Sequence, residues 1–208
     1  KLKKEENKVS EELELLKLSH EQCFNANSNF NNQSEFYYDK IISQHYNKIN
    51  FKGDLNSKNI FKESKPIFII GLPRSGSTIT ELIISSSKTF KHTLGETSLI
   101  NYSLINNYSD KLFNMSKKDK LEIDIKFIEK KILTFFKNFK ISNFNNCILI
   151  DKSLENFFYI DLIIEIFPKA KFVLTERKIH DNIIGIYKKV LLDIPWAHTL
   201  SDIVEYTD

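Results

Sequence analysis

The feature that most constrains this chain is a short apolar run followed by a loop of small residues and a second apolar pattern. Residues 67–70 show no polar alternation, which is typical of a strand buried on both faces in a parallel sheet. The loop Gly-Leu-Pro-Arg-Ser-Gly-Ser-Thr spans residues 71–78, and Ile79, Leu82 and Ile83 then recur at helical spacing. Because the loop leads into a helix N-terminus, where unpaired N–H groups and the helix dipole attract anions, the sequence predicts a site for a phosphate-like group.

The same loop departs at one position from the Walker A motif, Gly-x-x-x-x-Gly-Lys-Ser/Thr. Gly71 and Gly76 occupy the two glycine positions and Thr78 the hydroxyl position, but Ser77 stands where the motif has Lys. That Lys reaches the outer phosphates of a nucleoside triphosphate, so its absence disfavours ATP and GTP as ligands. Arg74 lies inside the loop and can supply a fixed charge with two parallel donors for a shorter anion.

Apolar strands alternate with helical patterns along the rest of the chain. Further strands are predicted at residues 147–150 and 171–175, an extended segment at 91–97, and helices at 117–139, 154–167 and 180–192 and from 201 onward. This alternation predicts an α/β fold, a three-layer P-loop-like domain with a central parallel sheet.

A cation follows each of the three apolar strands: Arg74, Lys152 and Arg177. Ligands of open parallel sheets bind beyond the carboxyl ends of the strands, so we expect all three side chains to face one crevice. Only Arg74 and Arg177 among the 30 basic residues are arginine. Where Lys is the default cation, a retained Arg indicates a need for bidentate geometry.

The composition indicates a globular domain and argues against several classes of protein. With 208 residues and 41% hydrophobic content, the chain can bury one sizeable core. A net charge of +3 does not indicate a general nucleic-acid binder, and no apolar run reaches the length of a membrane span. No secretory signal is visible. Cys23 and Cys147 show no metal or disulfide spacing, which favours a reducing, cytoplasmic compartment.

The sequence divides into a helical segment at residues 1–50, a linker at 51–64 and the α/β domain at 65–208. Helices are predicted from Ser10, as N-cap, and over residues 34–49, and their surfaces are candidates for protein contacts. The first helix has an apolar face formed by four residues: Leu13, Leu16, His20 and Phe24. The chain begins without Met and stops inside a helical pattern, so we expect a piece of a longer protein with a C-terminally incomplete domain.

The loop carries a resemblance to a known family. Residues 73–78, Pro-Arg-Ser-Gly-Ser-Thr after a buried strand, resemble the 5′-phosphosulfate loop of sulfotransferases that use 3′-phosphoadenosine 5′-phosphosulfate (PAPS). The segment from residue 65 onward is most similar to protein-tyrosine sulfotransferases and to bacterial sulfotransferases with N-terminal tetratricopeptide repeats. The resemblance implies PAPS as co-substrate, no required metal, and a set of cofactor-binding residues: Gly71, Pro73, Arg74, Ser75, Gly76, Ser77, Thr78 and Arg177.

The resemblance also implies roles beyond the loop. Residues 151–157, Asp-Lys-Ser-Leu-Glu-Asn-Phe, look like the family's Asp-Lys-x-Pro-x-Asn-Phe with Leu154 in place of Pro. Lys152 then steadies charge on the bridging oxygen as the sulfuryl group leaves. The segment from Arg177 resembles the family's Arg-x-x-x-Asp-x-x-x-Ser-x-Tyr, in which Arg and Ser bind the 3′-phosphate. Gly185 replaces that Ser, so half of the clamp has no side chain.

Gly95-Glu96 looks like the family segment that carries the general base. Transfer to a hydroxyl needs a carboxylate within reach of the acceptor proton, and Glu96 is the predicted base. An alternative interpretation makes Glu96 an acidic residue favoured by the dipole of a starting helix. His92 is a second candidate base, whereas His180 is interpreted as a helix-start residue.

Two other function classes stay open from the sequence. One is a P-loop kinase in which Asp151, after an apolar strand, carries magnesium; the missing Walker Lys counts against it. The other is a non-catalytic helical-repeat scaffold on a decayed nucleotide fold, which Gly185 keeps open. The acceptor, whether a peptide tyrosine, a sugar, a lipid or a small alcohol, cannot be read from these residues.

Overall fold

A computed structural model describes residues 8–29, 31–32, 49–52, 59–87, 90–104, 108, 121–142, 144–145, 148–192 and 194–208. The chain forms two compact units, which we describe separately. One combines Lys1–Asp39 with Arg177–Asp208, and the other is Lys40–Glu176. We call them the helical unit and the sheet unit. The predicted boundaries at residues 50 and 64 stay predictions.

The secondary structure elements are named here in chain order. They are α1 (Val9–Ala26), β1 (Ile49–Lys52), β2 (Ile67–Gly71), α2 (Ser77–Ser85), β3 (Phe90–Gly95), β4 (Leu121–Asp124), α3 (Ile125–Asn138), β5 (Ile148–Asp151), a 3-10 helix (Leu154–Tyr159), α4 (Ile160–Ile166), β6 (Lys171–Thr175), α5 (Ile179–Tyr187), a second 3-10 helix (Pro195–Ala197) and α6 (Leu200–Thr207). Residues 99–104 are also helical.

The sheet unit is organised around a four-stranded sheet in the order β3-β5-β2-β6. Every neighbouring pair in it is parallel, and helices flank the sheet, which confirms the predicted α/β, P-loop-like fold class. The apolar runs behave as predicted, because Phe68, Ile69 and Ile70 of β2 and Leu149 and Ile150 of β5 are almost fully buried. The parallel arrangement brings the carboxyl ends of β5, β2 and β6 to the same edge of the sheet.

The predicted helix over residues 117–139 is wrong in its first part. Residues 121–124 form strand β4, which pairs in parallel with β1, and the helix α3 begins only at Ile125. Asp124 ends the strand and caps the helix, since its Oδ1 accepts from the N–H groups of Lys126 (2.9 Å) and Phe127 (3.3 Å). A carboxylate at this position satisfies two of the N–H groups that a helix start leaves unpaired. Residues 117–120 lie outside the described residues.

Strand β1 was not predicted. It includes Ile49, which was assigned to the second helix, and residues 51–52, which open the segment predicted as a linker. Among the described residues it pairs with β4 alone, more than 60 residues later, so no local signal indicates this strand. The rest of the second predicted helix, residues 34–48, lies outside the described residues.

In the helical unit, α1 is confirmed but its start and its buried face differ from the prediction. The helix begins at Val9 after Lys8, not after Ser10. His20 is buried, whereas Leu13 is 48% and Phe24 39% exposed. The His20 ring stacks on Tyr187 and bonds to its carbonyl oxygen (2.8 Å), so a polar ring anchors this helix.

The remaining helices differ from prediction mainly in their length and packing. The 154–167 segment is a 3-10 helix followed by α4, and α5 ends at Tyr187 and not at residue 192. Helix α2 is confirmed, but Ile79, Leu82 and Ile83 are each more than 60% exposed. Within the described ranges, no helix combines the length and the hydropathy needed to cross a bilayer.

Candidate active site

The loop after β2 has a backbone that few residues other than glycine tolerate. Gly71, Arg74 and Gly76 all have positive φ, at 141°, 67° and 108°. The Ser75 N–H donates to the Leu72 carbonyl (3.2 Å), which closes a turn with Pro73 at its second position, where the fixed φ of proline is favoured. Arg74 therefore holds a left-handed conformation that costs about 1–2 kcal/mol for a residue with a Cβ.

The side chains of this loop leave several donors available. Arg74 and Thr78 are exposed and Ser77 is 7% exposed. Among the residues that the structure describes, no acceptor bonds to the side chains of these three residues. The N-cap of α2 is Gly76, and no side chain caps the helix. The first N–H groups of the helix are therefore left without a side-chain acceptor, next to Ser77 and Thr78. These donors fit an anion of phosphate or sulfate type.

Ser75 differs from its neighbours in the loop. Its hydroxyl lies 2.7 Å from that of Thr175, at the end of β6. Thr175 in turn donates to the carbonyl of Ile70 (3.1 Å). Ser75 is thus bonded within the protein, to a residue that no sequence pattern indicated as its partner.

Lys152 and Glu96 meet at the carboxyl end of β5. The Lys152 Nζ forms an ion pair and hydrogen bond with Glu96 Oε1. The Lys152 side chain is 7% exposed and that of Glu96 62% exposed, so the pair joins a buried cation to a carboxylate at the surface. The backbone N–H of Lys152 donates to the Gly95 carbonyl (2.9 Å). Two residues predicted as catalytic are therefore in contact, one strand away from the loop.

A buried carboxylate holds the segments that carry this pair. Asp151 is 1% exposed, and its Oδ1 accepts from the Ser153 N–H (2.8 Å) and the Asn156 side chain (2.7 Å). Its Oδ2 accepts from the Thr97 hydroxyl (3.1 Å). Burial raises the pKa of Asp151 above its ordinary value, and the hydrogen bonds act in the opposite direction. Asp151 links the neighbours of Lys152 to the residue after Glu96.

A second layer of hydrogen bonds surrounds this carboxylate. The Ser98 N–H donates to the Ser153 hydroxyl (2.8 Å), the Asn101 side chain donates to Glu155, and the Tyr159 hydroxyl donates to Asn101 (3.0 Å). The sequence did not predict these hydrogen bonds, because contacts between segments about 55 residues apart leave no local pattern. The kinase interpretation is weakened, since both oxygens of Asp151 already accept hydrogen bonds from the protein.

Three other candidate residues were named from the sequence: His92, His180 and Arg177. His92 is exposed on β3, and His180 is exposed near the start of α5, as its interpretation as a helix-start residue requires. Arg177 belongs to the helical unit, where its Nε lies 3.9 Å from an Asp181 oxygen. Both side chains are about half exposed, and Gly185 lies in the middle of α5. The role of Arg177 at a 3′-phosphate stays a prediction.

Within the described part of the chain, no three His, Cys, Asp or Glu side chains are grouped so that they could hold a metal ion.

Comparisons with known proteins agree with this geometry. The chain is similar to an uncharacterized protein of Aquifex aeolicus (strain VF5), with 28% identity over 155 residues that cover 66% of this chain and 20% of that protein. This chain thus spans about a fifth of that relative's length. The model of the Sulfotransferase family matches residues 66–205, a range that contains the loop, Glu96, Lys152 and Arg177. Since that match covers well over half of the sequence, the chain belongs to the sulfotransferase family.

Proposed function

We propose that this chain moves a sulfuryl group from PAPS to an acceptor hydroxyl. The observation that carries the proposal is the contact between Glu96 and Lys152 at the end of the strand next to β2. A carboxylate and an ammonium group are the base and the cation that such a transfer needs. Lys152 follows β5, which neighbours β2, the strand that leads into the loop, and Glu96 follows β3 on the other side of β5.

The loop residues fit the 5′-phosphosulfate of PAPS. Gly71 and Gly76 allow the positive φ angles of the loop backbone, and the uncapped N–H groups of α2 supply donors. Arg74, Ser77 and Thr78 supply further donors that the described part of the protein does not use. When PAPS is bound, it supplies an activated sulfuryl group and a phosphate leaving group.

The residues of the chain then act by positioning and electrostatics, as in phosphoryl transfer. Glu96 accepts the proton of the acceptor hydroxyl while that oxygen bonds to sulfur. Lys152 steadies the negative charge on the bridging oxygen as its bond to sulfur breaks. The products are the sulfated acceptor and 3′-phosphoadenosine 5′-phosphate. Lys152 must exchange Glu96 for the bridging oxygen, which frees the carboxylate to act as a base.

Arg177 is proposed to bind the 3′-phosphate, with Gly185 leaving the second half of the clamp to backbone or water. The acceptor class is a peptide tyrosine, a sugar or another alcohol, and the exposed Glu96 marks where its hydroxyl arrives.

A comparison of nucleotide affinities tests the proposal. We expect 3′-phosphoadenosine 5′-phosphate to bind at least about tenfold more tightly than ADP or ATP, a difference of about 1.4 kcal/mol, in calorimetry without magnesium. Sulfuryl transfer from PAPS to a panel of phenols, sugars and alcohols then identifies the acceptor. Tighter binding of ATP in the presence of magnesium would favour the kinase interpretation instead, and binding of none of them would favour the scaffold.

A further inference from the structure

We propose that Thr175 is a positioning residue for the loop of residues 71–78, and that Ser75 is its partner and not a ligand of the bound anion. The inference rests on the proposed function in one respect, that this loop holds the 5′-phosphate group. We call the Ser75–Thr175 hydrogen bond the loop brace.

The direction of the hydrogen bonds follows from their acceptors. Thr175 Oγ1 donates to the Ile70 carbonyl (3.1 Å), which can only accept. The proton between Ser75 and Thr175 (2.7 Å) must therefore come from Ser75. Its backbone N–H is also used, by the Leu72 carbonyl (3.2 Å). Because both donors of Ser75 are engaged within the protein, it has none left for an anion.

Gly71 makes room for the brace. Gly71 and Thr175 are partners in the β2–β6 pairing, and a Cβ on Gly71 would lie 2.4 Å from the Thr175 carbonyl oxygen and 2.7 Å from its Oγ1. Real Cβ atoms do not approach other atoms so closely. The first glycine of the loop is thus required by the position of Thr175 as well as by its own φ of 141°.

The loop needs such a constraint because its backbone is strained. Three of its residues have positive φ, and one of them, Arg74, has a side chain. Strained conformations persist only where the surrounding structure holds them. A loop that is ordered before binding also avoids the ordering cost when the ligand arrives. The strand itself does not require a hydroxyl, since Val has the same shape and a similar preference for strands.

Two variants and two nucleotides test whether the loop brace affects binding of the 5′-phosphate. Thr175→Val removes the hydroxyl, and Thr175→Ser keeps it. The probes are 3′-phosphoadenosine 5′-phosphate and adenosine 3′-phosphate, which lacks the 5′-phosphate. We expect Thr175→Val to weaken the first by about tenfold, the scale of a lost hydrogen bond, and to leave the second unchanged. Thr175→Ser should stay within about twofold of wild type for both.

Ser75→Ala distinguishes a partner from a ligand. If Ser75 acts through Thr175, Ser75→Ala and Thr175→Val lower the affinity equally and the double variant loses no more than either. Losses that add would show that Ser75 contacts the anion directly and would overturn the proposal. Equal weakening of both nucleotides would overturn it too, because the effect would then be a general loss of structure.

Amide hydrogen exchange tests the brace without any ligand. In the nucleotide-free protein, we expect Thr175→Val and Ser75→Ala to speed exchange in residues 72–77 and to leave β5 unchanged, whereas Thr175→Ser does neither. Unchanged exchange in the loop would refute the brace. If exchange responds as expected but wild-type protein does not discriminate the two nucleotides, the brace stands and the proposed function fails.

Discussion

Two segments at the same edge of the sheet differ in how they treat their polar groups: one leaves them exposed and the other buries them. The loop after β2 keeps the side chains of Arg74 and Thr78 exposed and holds a strained backbone. The segment after β5 buries its polar groups, with Asp151, Lys152, Ser153 and Asn156 all at most 6% exposed. In the first segment several side-chain donors have no acceptor among the described residues, and in the second the polar groups bond to one another.

This difference distinguishes a segment whose donors are available to an anion from a segment whose hydrogen bonds hold its own side chains in position. Donors without protein partners can turn to an anion at no cost in broken hydrogen bonds. A buried network fixes side chains, because each unmade bond would leave a desolvated polar group. Variants of the two segments should therefore fail in different ways, and the following predictions run from the largest expected effect to the smallest.

Gly71→Ala should cause the largest loss of stability. The new Cβ would overlap the Thr175 backbone, and we expect a cost of about 3 kcal/mol or more in the free energy of unfolding. Gly95→Ala is the matched control, because Gly95 also has a positive φ, 65°, but nothing lies within 4 Å of its Cβ position. It should cost about 1 kcal/mol. Equal losses in urea denaturation would mean that φ alone, not Thr175, requires the glycine.

Asp151→Ala should cost about 3 kcal/mol, because it leaves the buried donors of Ser153 and Asn156 and the half-buried hydroxyl of Thr97 without their acceptor. Asp151→Asn should cost less than about 1 kcal/mol, since its carbonyl can serve Ser153 and Asn156 while its amide donates to the Thr97 hydroxyl. The free energies of unfolding of both variants test this. If the two lose the same amount, charge and not hydrogen bonding holds the segment.

Glu96→Gln should lower turnover about 10²-fold while leaving the affinity for 3′-phosphoadenosine 5′-phosphate unchanged, as loss of a general base does. Turnover is measured with PAPS and an acceptor that the wild-type protein uses. Glu63→Gln is the control, because Glu63 also pairs with a lysine, Lys169, on the chain segments that precede β2 and β6. Normal turnover of Glu96→Gln would move the base elsewhere, with His92 next to be tested.

Arg74 combines a strained backbone conformation with the proposed contact to the 5′-phosphosulfate. Arg74→Ala and Arg74→Gly should both weaken 3′-phosphoadenosine 5′-phosphate by at least about 1.5 kcal/mol, the scale of a charge-assisted hydrogen bond. Only Arg74→Gly relieves the strain of φ 67°, so it should be more stable than Arg74→Ala by about 1 kcal/mol. Unchanged affinity in calorimetry would remove the loop from the site.

The smallest expected effect is the pH dependence that Asp151 gives to the free energy of unfolding. Burial raises the pKa of Asp151 above 3.8, so the folded protein keeps this proton to a higher pH than the unfolded chain. The free energy of unfolding therefore falls as the pH rises from the pKa of Asp151 in the unfolded chain to its higher pKa in the folded protein. Asp151→Asn does not titrate there, so the stability difference between wild type and variant should shrink with rising pH and then level off. A difference that grows with pH would contradict the raised pKa.

The sequence by itself determined the central strands of the four-stranded sheet and the loop that follows β2. Strands β2, β5 and β6 were predicted almost to the residue, because an unbroken apolar run bounded by loop residues has few other uses. The loop of residues 71–78 was also recognised from residue types at fixed spacing after a strand. Glu96 and Lys152 were each named from such motifs, but the contact between them was not predicted. The strands and these motifs are local, and local features are legible in one sequence.

Tertiary structure decided what joins distant segments. The β1–β4 pairing, the brace between Ser75 and Thr175 and the hydrogen bond from Thr97 to Asp151 each connect residues more than 50 positions apart. Periodicity reports which face of an element is apolar but not what covers it, so the exposure of Ile79 on α2 could not be foreseen. Hydroxyls and carboxylates reveal their partners only when the chain has folded, because a hydrogen bond depends on the distance between two atoms and not on their separation in sequence.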